Sequence, residues 1–405
     1  MAGHTVVGYD IDADRTAVLA TGRSPIDDLA DDDLAAMLAT GRYEPTSDPA
    51  RLAGFEVALV AVPTPLHDGR PDLSAVLGAA RTLSGHLRCG ATVVLESTVA
   101  PGTTAGEFRC ALEESGLAAD RGEFFVGFSP ERIDPGNPDW HFGNTPKLVS
   151  GVNRASADAV EAFYATICET VVRCASTGTA EMAKLLENTY RHVNIALVNE
   201  LGRHANELGI SIWDVIAAAR TKPYGYQAFY PGPGVGGHCL PIDPAYLSDR
   251  IERTLGRPFD FVDLAMRVND AQPGYVTERV MRLLNEHRQP VNGARVLVLG
   301  LAYKADSGDI RETPTTRIID GLRRLGAVVS VCDPRVQQLS ARLADLFSDV
   351  KTVSPHEVVD AAGEANLTLL VTDHRDFPYE RIAARARLVL DARNRFARAA
   401  HVHAL

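Results

Sequence analysis

Short apolar runs, each broken off by a polar turn, recur in both halves of this chain and constrain its fold more than any other feature. In the first half they are Val57-Ala-Leu-Val-Ala-Val62, Thr92-Val-Val-Leu-Glu-Ser97 and Phe124-Phe-Val-Gly-Phe128. In the second they are Ala294-Arg-Val-Leu-Val-Leu-Gly300, Val328-Val-Ser-Val-Cys-Asp333, Leu367-Thr-Leu-Leu-Val-Thr372 and Leu388-Val-Leu-Asp391. Runs without polar alternation belong to strands covered on both faces, as in parallel α/β sheets. The chain therefore reads as α/β, with two Rossmann-like regions that are its only internal echo. The turns Pro63-Thr64-Pro65, Ser97-Thr98-Val99 and Ser129-Pro130-Glu131-Arg132 follow strand ends, where open α/β sheets bind ligands.

Between the two regions the pattern turns helical. One long helix is expected from Thr179 to Leu208, with Thr179 as N-cap, Glu181 favouring the N-terminal dipole and Gly209 as the stop. Met182, Leu185, Leu186, Val193, Leu197, Val198 and Leu201 predict burial along much of its length. Lys184 and Asn188 stand four apart and share a face. A second helical stretch spans about 259–287. The expected domains are 1–172, 173–290 with the central helices, and 291–405.

The segment Gly232-Pro-Gly-Val-Gly-Gly-His-Cys239-Leu-Pro-Ile-Asp243-Pro244 carries the chemistry. Its glycines let the backbone approach a ligand closely. A thiol follows at once, with a carboxylate four residues on. A nucleophilic sulfur needs open space before it and a neighbour that orients water or moves protons.

The opening run, Thr5-Val6-Val7-Gly8-Tyr9-Asp10-Ile11-Asp12, reads as a strand ending in carboxylates. In dinucleotide-binding domains such a carboxylate bonds the adenine ribose, about 20 residues after a G-x-G-x-x-G loop. No such loop precedes this strand. A first strand, glycine loop and first helix, roughly 20–25 residues on that spacing, are expected to be missing from the N-terminal domain. A start placed too far downstream and a genuine truncation both account for this, and the polypeptide as written is expected to bind NAD poorly.

The third region carries Gly300 alone where the fingerprint needs three glycines, so it is not expected to bind NAD. Lys304, Arg311 and a helix N-terminus capped by Thr313, with Pro314 at its first position, suit a diphosphate instead.

GPGVGGHCLPIDPAYL resembles the active-site segment of the UDP-sugar 6-dehydrogenases of the UDP-glucose/GDP-mannose dehydrogenase family. The motifs recur in the family's order over nearly the whole chain. Ser129-Pro-Glu131-Arg-Ile-Asp-Pro135-Gly-Asn137, Phe229-Tyr-Pro-Gly-Pro233 and Asp391-Ala-Arg-Asn394 are most similar to the branch acting on UDP-N-acetylhexosamines. The resemblance implies a two-step, NAD-dependent oxidation of C6 of UDP-N-acetylglucosamine or UDP-N-acetylmannosamine, through a thiohemiacetal and a thioester on Cys239. UDP-glucose oxidation and a silent UDP-sugar-binding protein are the alternatives.

The same resemblance implies that Lys184 and Asn188 stabilise the oxyanion, Asp243 activates water, Glu131 acts as base and Thr98 positions a water. It implies NAD contacts at Asp10, Thr64 and Thr98. Substrate contacts are implied at Glu131, Arg132, Lys184, Gly236, Lys304, Arg311 and Arg393, with no metal. A homodimer or higher homo-oligomer built on the central helices is also implied.

A net charge of −11 argues against nucleic acid as the partner, so an anionic substrate needs locally placed cations. No apolar run reaches the roughly 20 residues a membrane span requires. The chain opens on no signal-like stretch, and its six cysteines, 89, 110, 168, 174, 239 and 332, form no C-x-x-C pair. A cytoplasmic location with reduced thiols is expected.

Overall fold

The computed structural model describes residues 3–25, 29–134, 137–237, 239–336 and 349–405. Pro135, Gly136 and His238, quoted above within motifs, lie outside them, as does the side chain of Cys239. The chain divides into two compact units, Met1–Glu187 with Ala245–Arg257, and Asn188–Pro244 with Pro258–Leu405.

In the first unit, β1 (Val6–Tyr9) and β2 (Tyr43–Thr46) pair in parallel as a two-stranded sheet. The helices α1 (Ala13–Ala20) and α2 (Asp31–Ala39) lie between them in sequence. A five-stranded sheet follows, in the order β3 (Val57–Val60), β6 (Thr92–Leu95), β7 (Phe125–Phe128), β8 (Lys147–Gly151) and β9 (Val171–Arg173). Its one antiparallel pair is β7 with β8. The hairpin β4 (Leu66–His67) with β5 (Arg70–Pro71) closes the turn after β3. The crossovers are α3 (Ser74–Ser84), α4 (Arg109–Glu113) and α5 (Arg154–Tyr164). Val93, Leu95, Val126 and Phe128 pack with Val76, Phe108 and Leu112 in a core closed to solvent. The runs in β6 and β7 are thus covered on both faces, as parallel strands require, but the one in β3 is not: Val57 and Ala58 are half-buried and Leu59 is exposed.

The second unit is built on a six-stranded parallel sheet. Its order is β12 (Lys351–Thr352), β11 (Val328–Cys332), β10 (Arg295–Leu299), β13 (Leu367–Leu370), β14 (Val389–Asp391) and β15 (Val402–Ala404). The order reverses at β10, and the crevice outside the C-terminal ends of β10 and β13 is where such sheets bind ligands. One face carries α10 (Gln272–Glu286) and α11 (Pro314–Arg324) through Val276, Val280, Leu284, Ile318 and Ile319. The helix α7 (Ile212–Ala219) and the helix α9 (Asp260–Asp270) complete this unit.

The helix α6 runs Thr177–Glu207, and α8 runs Cys239–Leu255. Two expectations for α6 need correction. Ser176, not Thr179, caps it: the Ser176 Oγ accepts from the Thr179 N–H at 3.1 Å. It is also not buried along its length. Leu185 is fully buried, but Met182, Leu186, Leu197 and Leu201 are exposed, together with Tyr190. The apolar positions form two stripes, and a count of apolar residues does not say which stripe meets the core. The stretch 259–287 is two helices, because Pro273 follows the end of α9 and starts α10.

Candidate active site

In the first unit Thr64, Thr98 and Glu131 follow the C-terminal ends of the neighbouring parallel strands β3, β6 and β7, while Asp10 follows β1 in the separate two-stranded sheet. Ser97 ties the turns after β3 and β6 together: its Oγ donates to the Val62 carbonyl at 2.7 Å and accepts from the Val62 N–H at 2.8 Å. Thr64 is buried and Thr98 half-buried on these joined turns. Asp10 directly follows β1, half-buried, with one carboxylate oxygen holding the Asp12 N–H at 3.0 Å. These residues fit the adenosine ribose and the nicotinamide side of a dinucleotide. A glycine cradle for its pyrophosphate is not found among the described residues of this unit, so the fit is partial.

Glu131 is fixed by its own turn. One oxygen accepts from the Arg132 and Ile133 amides, both at 2.6 Å, and the other lies 3.6 Å from Lys147 Nζ. Lys147 is buried on β8, its ammonium 2.8 Å from Glu96 and 5.0 Å from the ring centroids of Phe142 and Tyr164. Tyr164 donates to the same Glu96 oxygen at 2.6 Å, and burial pushes its phenol well above the usual range. Neither Lys147 nor Glu96 was expected to matter. The signal available was a lone cation opening the apolar run Lys147-Leu-Val-Ser-Gly151 and a carboxylate closing β6. Arg132 does not stand clear for a ligand: it forms a two-pronged ion pair with Glu187 and donates to the Pro146 carbonyl.

Glu181, read as a helix-dipole partner, is fully buried and accepts from the Gly102 and Thr104 amides at 2.6 and 2.9 Å. Burial raises its pKa, against the pull of those bonds. It anchors the segment that follows Thr98. Lys184 lies one turn on, half-buried.

In the second unit the glycines of the Gly232–Gly237 loop have protein, not open space, where a Cβ would stand. A Cβ at Gly236 would meet Tyr303 Cβ at 2.7 Å and the Glu312 carbonyl at 2.8 Å. At Gly237, where φ is +82°, it would meet the Tyr303 ring at 2.7 Å. At Gly232 it would lie 2.9 Å from the Arg393 guanidinium. The close approach expected toward a ligand is made here to the β10–α11 segment and to Arg393. The loop is held there by the Gly237 N–H, which donates to the Arg311 carbonyl at 3.0 Å.

The loop leads into α8, whose first residue is Cys239. One turn on, Asp243 is buried and accepts from Asn188 Nδ2 at 2.5 Å. Asp243 and Asn188, expected in separate roles, are in direct contact.

At the sheet's crevice, Thr313 caps α11 with Pro314 at its first position, as expected. Lys304 lies in the segment between β10 and that cap, half-buried. Arg311 is exposed and paired with Asp309 at 2.6 Å. Arg393 Nε donates to the Val371 carbonyl beyond β13 at 2.8 Å. Beneath them Asp333 accepts from the Leu301 and Ala302 amides at 2.6 and 3.0 Å, and from those of Arg335 and Val336. His374, fully buried, completes its coordination at 3.0 Å and takes the Asp306 N–H on its other nitrogen. Burial alone would raise the Asp333 pKa, but the His374 contact and these amides bring it down to about 2.

Polar turns at parallel strand ends, a sheet switch point with cations, and a cysteine opening a helix after a glycine loop are features suited to an NAD-dependent dehydrogenase of sugar nucleotides, and comparison with known proteins gives that class. Family models of the UDP-glucose/GDP-mannose dehydrogenase family match as an NAD binding domain over residues 1–168, a central domain over 178–271 and a UDP binding domain over 297–398. The chain belongs to that family. It is 31% identical over 400 residues to a UDP-N-acetyl-D-mannosamine dehydrogenase of Pyrococcus horikoshii, covering 97% of this chain and 90% of that one. It is 36% identical over 335 residues to a UDP-N-acetyl-D-glucosamine 6-dehydrogenase of Pseudomonas aeruginosa, covering 82% and 78%. Among solved structures it is similar to the UDP-D-ManNAc dehydrogenase of P. horikoshii, with a TM-score of 0.88 and 30% identity over 100% of this chain and 94% of that one. It is also similar to a UDP-glucose dehydrogenase of Pyrobaculum islandicum, with a TM-score of 0.82 and 27% identity over 96% and 89%.

Proposed function

We propose that this protein oxidises C6 of a UDP-N-acetylhexosamine, UDP-N-acetylglucosamine or UDP-N-acetylmannosamine, to the uronate, using two NAD+. The observation that carries the reading is the pinned glycine loop running into a helix that opens with Cys239 and holds Asp243 against Asn188 one turn later. The two relatives quoted above, named for N-acetylated sugars, support the choice of sugar class. Residues 1–172, 173–290 and 291–405 are read as the cofactor, central and UDP domains.

NAD+ would be held at Asp10, Thr64 and Thr98 and would supply the hydride acceptor. The chain's own residues do the rest. The Cys239 thiolate adds to the aldehyde carbon left by the first oxidation, and the oxygen of that adduct needs positive charge. Lys184 supplies it, with Asn188 donating a hydrogen bond. The second oxidation leaves a thioester. Asp243 takes a proton from the water that cleaves it, returning the thiol and releasing the acid. Glu131 accepts the hydroxyl proton in the first oxidation, and Thr98 orients water. Lys304, Arg311 and Arg393 hold the UDP-sugar, with Glu131 and Lys184 nearer the sugar; Arg132 and Gly236 reach it only if Arg132 leaves Glu187 and the glycine loop leaves Tyr303.

We further propose that a second copy of this chain covers the exposed stripe of α6, Met182, Leu186, Tyr190, Leu197 and Leu201. No helix among the described residues is long and apolar enough to cross a membrane. Reducing equivalents released with UDP-N-acetylglucosamine, UDP-N-acetylmannosamine and UDP-glucose test the substrate. The expected result is two NADH per uronate with an N-acetylated sugar, and a preference for UDP-glucose would overturn it.

A further inference from the structure

The buried face of α6 carries a row of polar side chains, and one of them, Asn199, meets a partner on α9 where no catalytic step uses either. Asn199 is mid-helix and 1% exposed, and Asn269, in the last turn of α9, is 3% exposed. Asparagine is a poor interior helix residue, and a buried amide is costly unless all its groups are bonded. These are. The Gly232 N–H donates to Asn199 Oδ1 at 2.9 Å, Asn199 Nδ2 donates to Asn269 Oδ1 at 3.0 Å, and Asn269 Nδ2 donates to the His192 carbonyl at 3.2 Å. A backbone donor closes one end and a backbone acceptor the other. The direction of both amides is therefore set by the chain itself and has no equivalent flipped form. His192, 2% exposed, packs against the second amide, and burial holds its imidazole pKa below the usual value.

We infer that Asn199, seated on Asn269, is a positioning residue for the active-site thiol. Gly232 starts the loop that ends at Cys239, and its amide is tied by Asn199 as the Gly237 amide is tied by the Arg311 carbonyl. Between these two ties lie Pro233, Gly234, Val235 and Gly236, and the two glycines lose much conformational freedom when ordered. Releasing the first tie frees the segment that sets where α8 begins. The inference rests on the reading of Cys239 as nucleophile. It goes beyond that reading by assigning the loop's placement to a side chain 33 positions before the loop's first glycine.

The test is alkylation of the full-length chain by iodoacetamide, with each cysteine-bearing peptide followed by mass spectrometry. Cys89 and Cys110 are exposed and serve as internal standards. In Asn199→Ala the Cys239 rate shifts by about fivefold or more, while the two standards stay within about twofold of wild type. Asn199→Asp keeps an acceptor for the Gly232 amide and stays nearer to wild type than the alanine variant. If Asn199→Ala fails to fold, Asn199→Ser, too short to reach Gly232, carries the same expectation. A simple staple between α6 and α9 predicts a lower melting temperature in Asn199→Ala and Asn269→Ala alike, with an unchanged Cys239 rate. That outcome overturns the inference. The readout needs neither cofactor nor turnover. Acid formation surviving in Cys239→Ser would remove the nucleophile assignment and leave the alkylation result standing.

Discussion

Replacing Asp333 by asparagine tests whether the crevice of the second sheet is organised by one buried charge. The carboxylate receives four backbone N–H groups and the His374 ring. Asparagine has the same shape but turns one oxygen into a donor, so one pair of amides faces N–H groups in either orientation. The carboxyl pKa falls from 3.8 to about 2 in the folded state. That depression corresponds to about 2 kcal/mol in favour of the folded, ionised form. The sign follows from the depression: the stabilisation is fully present above the unfolded value near 4 and is lost as pH falls through about 2. Hydrogen exchange of peptides covering 295–302 and 328–336 at pH 7 reads the local opening. Asp333→Asn should exchange there about 30-fold faster than wild type. In urea denaturation the difference between the two proteins should shrink as pH is lowered from 4 toward 2. Protection unchanged within about twofold at pH 7, or a difference that persists undiminished at pH 2, would refute the reasoning.

Three further expectations follow from the same geometry. Gly237→Ala places a Cβ 2.7 Å from the Tyr303 ring at a φ of +82°. It should cost about 2–4 kcal/mol in urea denaturation, and Tyr303→Ala in the same chain should recover only the steric part. Lys147→Met strands the Glu96 carboxylate, whose side chain is 11% exposed. A loss of about 3–5 kcal/mol is expected, more than half of it regained by adding Glu96→Gln, whereas a fully stable single variant would show the pair to be unimportant. Leu197→Asp in the exposed stripe of α6 should shift sedimentation toward the single chain, and an unchanged mass would remove that stripe from the interface.

What local pattern can express was legible. The strands β3, β6, β10, β11 and β13 sit where uninterrupted apolar runs placed them, and the Thr313–Pro314 cap stands as read. What was hidden depends on partners far away in the chain. Glu181 looks like an ordinary first-turn acid until Gly102 and Thr104, 77 or more positions distant, are brought to it. Lys147 resembles any surface lysine until Glu96, 51 positions earlier, lies beside it from the end of β6, across the intervening β7. The exposed stripe of α6 misled for another reason, since Leu and Met signal contact with something apolar without saying whether that is the chain's own core. The glycine loop was singled out for close approach to a ligand, and the atoms it approaches in this structure are those of Tyr303, Glu312, Pro314 and Arg393.

The most direct measurement compares wild type with Cys239→Ser, given NAD+ and the preferred UDP-N-acetylhexosamine, following the uronate and the intact mass of the protein. The account predicts that the wild type makes the acid, while the serine protein makes it at least about 1,000-fold more slowly and carries no sugar adduct. Acid produced by the serine protein at the wild-type rate would contradict it.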